Sequence, residues 1–306
     1  MGQDERAPEV EVGGDPAGVP PQIEIAALQA HPQFSAAMRA CMSAMVKLHS
    51  RSRILGWFLS DRTLAILAHA AISLAADARD DDPQSGLSPG SFKAFCVRTG
   101  MCGEGRATAI LAFMRLTGHL EAEVHPADRR ITRLRPSEKL LETMRARLSV
   151  EFAAVAMVCP EMAPAAGLLG SKEFERAIAL EFLKRWRIGE RFLDRAPALL
   201  LFAERDVGVI ILFALMLEAD PSGPLPPADP VTLSIAALAR RFHVSRTHVL
   251  RLIRDAESAG LLTRLGEKGE LVSLSPKLQQ GIRDFFAAIF QLTALCAWHA
   301  VVDELN

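Results

Sequence analysis

The sequence predicts a mainly α-helical protein with small β-wings, arranged as two similar units in tandem. Three observations carry this. Apolar residues recur at helical spacing along much of the chain. A helix, tight turn, capped helix and short hairpin follow one another between Leu233 and Lys277. A fainter copy of the same order lies about 142 residues upstream.

In the downstream copy, Ser234–Phe242 has helical spacing and stops at His243-Val244-Ser245. Ser245 suits an N-cap, where its hydroxyl accepts from a backbone N–H that has no partner inside the helix. Val249, Leu252, Ile253 and Ala256 then recur at i, i+3, i+4 and i+7, which makes one apolar stripe. Thr247, Arg251, Arg254 and Ser258 fall on the opposite side. Gly260 ends the helix where a left-handed residue is wanted. Leu261–Leu265 and Glu270–Leu274 flank Gly266-Glu267-Lys268-Gly269, the pattern of a hairpin. The whole reads as a helix-turn-helix followed by a wing. A capped helix with arginines on its free face suits the major groove of DNA, where arginine bonds guanine bidentately. The same pattern also describes a small helical core with a solvated basic face.

Upstream, the shift lays Leu116–Glu121 on Ser258–Thr263 and lays Ala107, Ile110, Leu111 and Met114 on the apolar stripe. Arg62–Ala68 and Asp206–Leu212 both open apolar helices. Each copy starts with a long helix, about His31–Ser50 and Lys172–Arg187, and ends with another, Ser137–Val158 and Lys277–Leu305. The expected organisation is an acidic, disordered tail over 1–30, a first unit over 31–158, a linker over 159–171 and a second unit over 172–306. The tail is rich in proline and glycine, and the linker in proline and small residues.

A helix, three further helices that carry the reading surface, a wing and a long closing helix together resemble the MarR-type winged-helix repressors. The most specific local match is Asp128-Arg129-Arg130-Ile131-Thr132-Arg133-Leu134-Arg135-Pro136-Ser137, an Asp-x-Arg tip followed by an alternating strand and a turn into a helix. The resemblance implies that Arg130 borders or enters the minor groove with Asp128 holding its guanidinium. Arginine is favoured in that narrow, negative groove. Most members of that family are homodimers of one such unit, so this chain resembles a fused pseudo-dimer over about residues 31–304. The resemblance also implies that effectors bind between the opening helices and the reader. Trp57 and Trp186, just past those helices, are therefore candidate lining residues, with core packing as the plainer reading.

The two copies differ in chemistry. Thr247, Arg251 and Arg254 correspond to Gly105, Ala109 and Ala112, so the first presumptive reading face is small and apolar, with Arg106, Thr108 and Arg115 at its edges. Gly103 and Gly105 are expected to weaken the start of that helix, by up to about 1 kcal/mol each in a helix interior. The second wing lacks the Asp-x-Arg tip. A division of labour follows, in which helix 245–259 reads bases while wing 125–133 supplies phosphate and minor-groove contacts. The competing expectation is that the first copy has become a packing or partner-binding module.

Net charge is −1, so no global field attracts nucleic acid and basic residues must concentrate locally. They do so at Lys93, Arg98, Arg106, Arg115, Arg129, Arg130, Arg133 and Arg135, and again at Arg240, Arg241, Arg246, Arg251, Arg254, Arg264 and Lys268. The five cysteines are scattered, without paired CxxC spacing, which suits a reduced cytoplasm. Cys96 and Cys102 flank the first turn, and small buried thiols are the plain reading. His243, His248 and His125 read equally as DNA contacts or as solvated surface. No phosphate loop, nucleophile elbow, acid/base pair or metal-ligand spacing stands out, so neither an enzyme nor a metal or cofactor is expected. No secretory leader is evident. The apolar run Phe285–Val302 is interrupted by Gln291, Thr293 and His299, so it reads as a packing helix and not a membrane span.

The sequence thus predicts a cytoplasmic, sequence-specific regulator of transcription that binds double-stranded DNA and works as a monomeric pseudo-dimer or a homodimer. It would act with Ser245, Arg246, Thr247, His248, Arg251, Arg254 and Lys268 at the second unit. Arg106, Asp128, Arg129, Arg130 and Arg133 would act at the first. A small-molecule effector is an additional expected partner. The alternative is an adaptor whose winged-helix units bind a protein.

Overall fold

The computed structural model describes residues 23–50, 62–79, 81–82, 85–124 and 132–305. They form a mainly helical protein with two small antiparallel sheets. In the first half, α1 (Ile25–Ala30), α2 (Phe34–Ser50), α3 (Arg62–Ala76), α4 (Pro89–Arg98) and α5 (Glu104–Leu116) precede a hairpin of β1 (Leu120–Val124) and β2 (Thr132–Pro136). Helix α6 (Glu138–Ala156) closes this half, and a 3-10 helix, Pro160–Leu168, leads to the second. There α7 (Lys172–Arg187), the 3-10 turn Pro197–Leu199, α8 (Leu200–Ala203) and α9 (Gly208–Met216) come first. They are followed by β3 (Val231–Thr232), α10 (Ile235–Arg241), α11 (Arg246–Ser258), β4 (Leu262–Leu265), β5 (Leu271–Leu274) and α12 (Pro276–Leu305).

The periodic stripes are the buried faces. Ala107, Ile110, Leu111 and Met114 of α5, and Val249, Leu252, Ile253 and Ala256 of α11, all point into the core. Burying a side chain of the Val, Leu or Ile class stabilises by roughly 1.5–3 kcal/mol, so each four-residue stripe outweighs the helix propensities of its own segment. Helix α9 is buried on nearly all sides, as its continuous apolar run requires.

The two halves share hydrogen bonds as well as element order. Helices α5 and α11 stand 142 residues apart along their whole length. Both end on a left-handed glycine, Gly118 with φ 70° and Gly260 with φ 66°. In the next turn His119 N donates to Met114 O at 2.8 Å and Leu261 N donates to Ala256 O at 2.9 Å. Ser137 N then reaches His119 O, as Ser275 N reaches Leu261 O. Ser137 and Ser275 each accept from the backbone N–H three residues on, at the start of a closing helix. The spacing has fallen to 138 by that point, so the first hairpin is the longer by four residues.

The halves also hold each other. Arg39 on α2 donates to Asp220 O and Gly223 O, both at 2.9 Å, beyond the end of α9. Arg176 on α7 donates to Ala76 O, the last residue of α3, at 3.2 Å. Arg176 therefore meets the last carbonyl of a helix in the opposite half, where cations are favoured, while Arg39 closes on the loop after α9. Between them, His69 stacks on Phe182 with centroids 3.8 Å apart, and Phe95 lies 6.2 Å from Trp186. One connected apolar core runs from Ile23 to Ala300.

Two expectations change. Residues 23–30 are not a disordered tail: α1 packs on α12, Leu28 is buried, and Gln29 Nε2 donates to Asp284 at 2.8 Å. An apolar anchor at Ile23 and Leu28 outweighs the proline-rich composition of the preceding segment. Within the linker span 159–171, Met162 and Ala165 are buried on the 3-10 helix. Gly103 is the N-cap of α5 and lies outside its interior, so the helix penalty falls on Gly105 alone. Phe285–Val302 lies within α12, which packs along α7. Among the described residues no helix is long and apolar enough to cross a membrane.

Candidate nucleic-acid interface

The chain reverses between α10 and α11 at His243, whose φ is 56°. Ser245 follows in an extended conformation, and its hydroxyl accepts from His248 N at 3.0 Å. One amide of the first turn is thereby satisfied, and a helix start of this kind is suited to an anion. Arg246, Thr247, Arg251 and Arg254 are exposed and make no hydrogen bond or ion pair with other described residues. Arg240 and Arg241 add exposed charge from the end of α10. Guanidiniums without internal partners lose little on meeting phosphate or a base edge, because no existing bond must break.

The hairpin beside α11 is pinned to it. Arg264 on β4 meets Glu257 at 2.7 Å, and these bonds hold the Glu257 carboxyl below its usual range. Lys268 is exposed at the tip, where its backbone N–H donates to Glu270 at 2.9 Å. Strand β3 pairs with β5, giving a three-stranded sheet ordered β3-β5-β4.

Two candidate residues are otherwise engaged. His248 Nε2 lies 2.9 Å from Asp206 O, so the ring donates to the turn between α8 and α9. In that turn Arg205 meets Asp255 of α11 at 2.7 Å. The sequence reading missed this clamp. Its only local trace is the charged pair Arg205-Asp206 before an apolar run, which long-range packing alone brings to α11. Arg133 is likewise turned inward: its Nη2 donates to Asp82 O at 3.0 Å and Arg79 O at 3.3 Å. The reason is that the carbonyls of Arg79 and Asp82 lie beside β2, where the arginine finds acceptors within the protein.

In the first half the equivalent surface is different. Gly105, Ala109, Ala112 and Leu116 form one exposed face of α5, and Leu116 is 87% exposed. Arg106 and Arg115 are exposed at its margins. Asp128, Arg129, Arg130 and His125 lie outside the described residues, as does Trp57. Trp186 is 2% exposed, stacked on Phe182 and covered by the Arg191 guanidinium at 4.2 Å, a core position.

Other chemistry is quiet. All five cysteines are free thiols, and burial pushes Cys96 and Cys296 up to about 12, so neither ionises near neutrality. Among the described residues no group of three His, Cys, Asp or Glu side chains is placed to hold a metal ion. No family model, curated protein or solved structure matches the chain, so what this surface does is argued from its own residues.

Proposed function

We propose that the chain is a sequence-specific, double-stranded DNA-binding regulator of transcription, made of two winged helix-turn-helix units fused as a pseudo-dimer of the MarR type. The observation that carries this reading is α11: a capped helix presenting Arg246, Thr247, Arg251 and Arg254 with no hydrogen bond or ion pair among the described residues, beside a hairpin with Lys268 at its tip. Inserted in a major groove, Arg251 and Arg254 would read base edges, while Ser245, Arg246 and the first-turn amides would bind phosphate. Arg129 and Arg130 of the first wing would supply the minor-groove contact, with Arg133 bracing the wing's base. Occupying a promoter would repress it.

Selection from random duplexes tests the reading. The chain should enrich one sequence class, and Arg251→Ala with Arg254→Ala should erase that preference, each good base contact being worth about 1–3 kcal/mol. Failure to enrich any duplex would reject it.

One observation favours a second reading. The exposed face Gly105, Ala109, Ala112 and Leu116 of α5 carries no polar side chain and suits a protein partner better than DNA. An adaptor built on that face would tolerate loss of both α11 arginines and lose its partner on Leu116→Glu.

A further inference from the structure

An open groove of about 610 Å³ runs along α7 where it meets the end of α12. Its apolar wall is Ala177 and Leu180, both half-buried, with Ala300, which is buried. Lys172, Arg176 and Lys184 line it as exposed cations. Two carboxylates also face it, and both are engaged. Glu173 accepts from the Ser171 hydroxyl at 3.3 Å, while Glu181 is shared between Lys184 at 3.3 Å and Arg185 at 2.8 Å. Arg176 gives its Nε to Ala76 O, and Lys172 meets no carboxylate among the described residues. The groove thus sets a surplus of positive charge beside an apolar surface.

The N-terminal segment starts its course toward this groove. Helix α1 runs antiparallel to α12: Gln29 bonds to Asp284, and two turns further along α12 Gln291 donates to Ile23 O at 2.6 Å. The chain before Ile23 therefore leaves α1 toward the Ala300 end of α12. Gln291, Leu295 and His299 continue from that anchor as a half-buried ridge at i, i+4 and i+8. His299 Nε2 lies 3.9 Å from Glu181 in the groove wall. The ridge is about 12 Å long at 1.5 Å per residue.

Residues 1–22 carry Asp4, Glu5, Glu9, Glu11 and Asp15 against Arg6. Within them Glu9-Val10-Glu11-Val12 alternates acid and valine. Valine favours an extended backbone, in which successive side chains point to opposite faces. Such a strand has two valines on one face and two carboxylates on the other, the complement of the groove. Residues 13–22 can span up to about 33 Å, more than the ridge and the width of a helix together.

We propose that Glu9–Val12 docks in this groove as an extended strap of the same chain. Val10 and Val12 cover Ala177, Leu180 and Ala300, and Glu9 and Glu11 meet Lys172 and Arg176. The strap ties the start of the first half to α7 of the second. It involves α7 and α12 alone and holds whatever α11 binds.

Zero-length carbodiimide coupling of the full chain, read by peptide mass spectrometry, tests this, because it links a lysine amine only to a carboxyl already beside it. Glu9 or Glu11 should join Lys172 about tenfold more often than the exposed Lys268 or Lys277, since docking raises their local concentration at one lysine. Val10→Asp with Val12→Asp keeps both glutamates and should cut the Lys172 product about tenfold or more through loss of apolar burial. Leu180→Glu should do the same from the groove side. In a mixture of isotope-labelled and unlabelled protein, the linked peptides should come from one chain. Absence of the Lys172 product, even coupling to all these lysines, or an unchanged yield in the valine variant would overturn the proposal. Linked peptides of mixed isotope content would overturn it too, since a second copy would then fill the groove.

Discussion

Arg39 on α2 donates to Asp220 O and Gly223 O in the loop after α9, and Arg176 on α7 donates to Ala76 O at the end of α3, so each half reaches carbonyl oxygen of the other. In a two-fold interface between identical subunits residue i meets j and j meets i; here both halves contribute an arginine, but from positions that do not correspond. Here one polypeptide contains both partners. The symmetry survives in the backbone hydrogen bonds around Gly118 and Gly260 and fails at the exposed faces of α5 and α11. Loss of symmetry on the outside, with symmetry kept inside, is the basis of the first prediction.

A duplex carrying two copies of the preferred half-site as a perfect palindrome should bind no better than a duplex with one copy and an unrelated flank. Half-site symmetry mirrors protein symmetry, and where the second helix presents Arg251 and Arg254 the first presents Ala109 and Ala112. Equal occupancy of both palindromic arms in a footprint would contradict this. Affinity for the single site should also fall steeply between 50 and 200 mM salt, roughly in proportion to the phosphates contacted.

The starts of α5 and α11 should respond oppositely to substitution. Ser245→Ala removes a formed cap and should cost about 1 kcal/mol in urea unfolding, whereas Gly103→Ser should add a few tenths. Gly105→Ala should stabilise by up to about 1 kcal/mol, since a Cβ there meets nothing within 4 Å. A destabilised Gly105→Ala protein would show that this helix end is held by something else.

Gly281 should behave in the opposite way. A Cβ on it would lie 2.8 Å from the Ala198 Cβ, where α12 crosses the 3-10 turn. Gly281→Val should therefore destabilise by about 1–3 kcal/mol through overpacking. Unchanged stability would mean the two segments can separate at no cost.

Acid should weaken the fold through His69. Burial, then the Arg147 charge, pushes its pKa from 6.5 to about 3. The unfolded chain thus takes up a proton below pH 6.5 that the folded chain refuses until about pH 3. Stability from this group is complete above 6.5 and is lost as pH falls through that window, by at most about 1.4 kcal/mol per unit. His119, pushed down to about 4 by burial and Lys139, adds the same sign over a narrower range. Urea midpoints at pH 7.5 and 5.0 should converge for His69→Phe, which keeps the stack on Phe182. An identical loss in both proteins would exclude His69 as the source.

Much of this protein is written locally. Helical spacing placed the stripes of α5 and α11, Ser245 and Ser137 marked helix starts, and Gly118 and Gly260 marked helix ends. These signals operate within one or two turns, where neighbouring residues alone decide the backbone, and so they can be read along the chain. The matching order of elements is legible for the same reason.

Whether a polar side chain is free is another matter, because that depends on what arrives from elsewhere. Arg133 and Arg251 look alike in sequence, yet Arg133 faces the carbonyls of loop 79–82 and Arg251 faces solvent. His248 is held by Asp206, 42 residues away along the chain. Gly281 looks like a weak point in a helix until Ala198 is brought against it. Periodicity determined which faces would be buried; packing between the halves decided which charges kept their freedom, because a long-range contact is fixed only when both surfaces have folded.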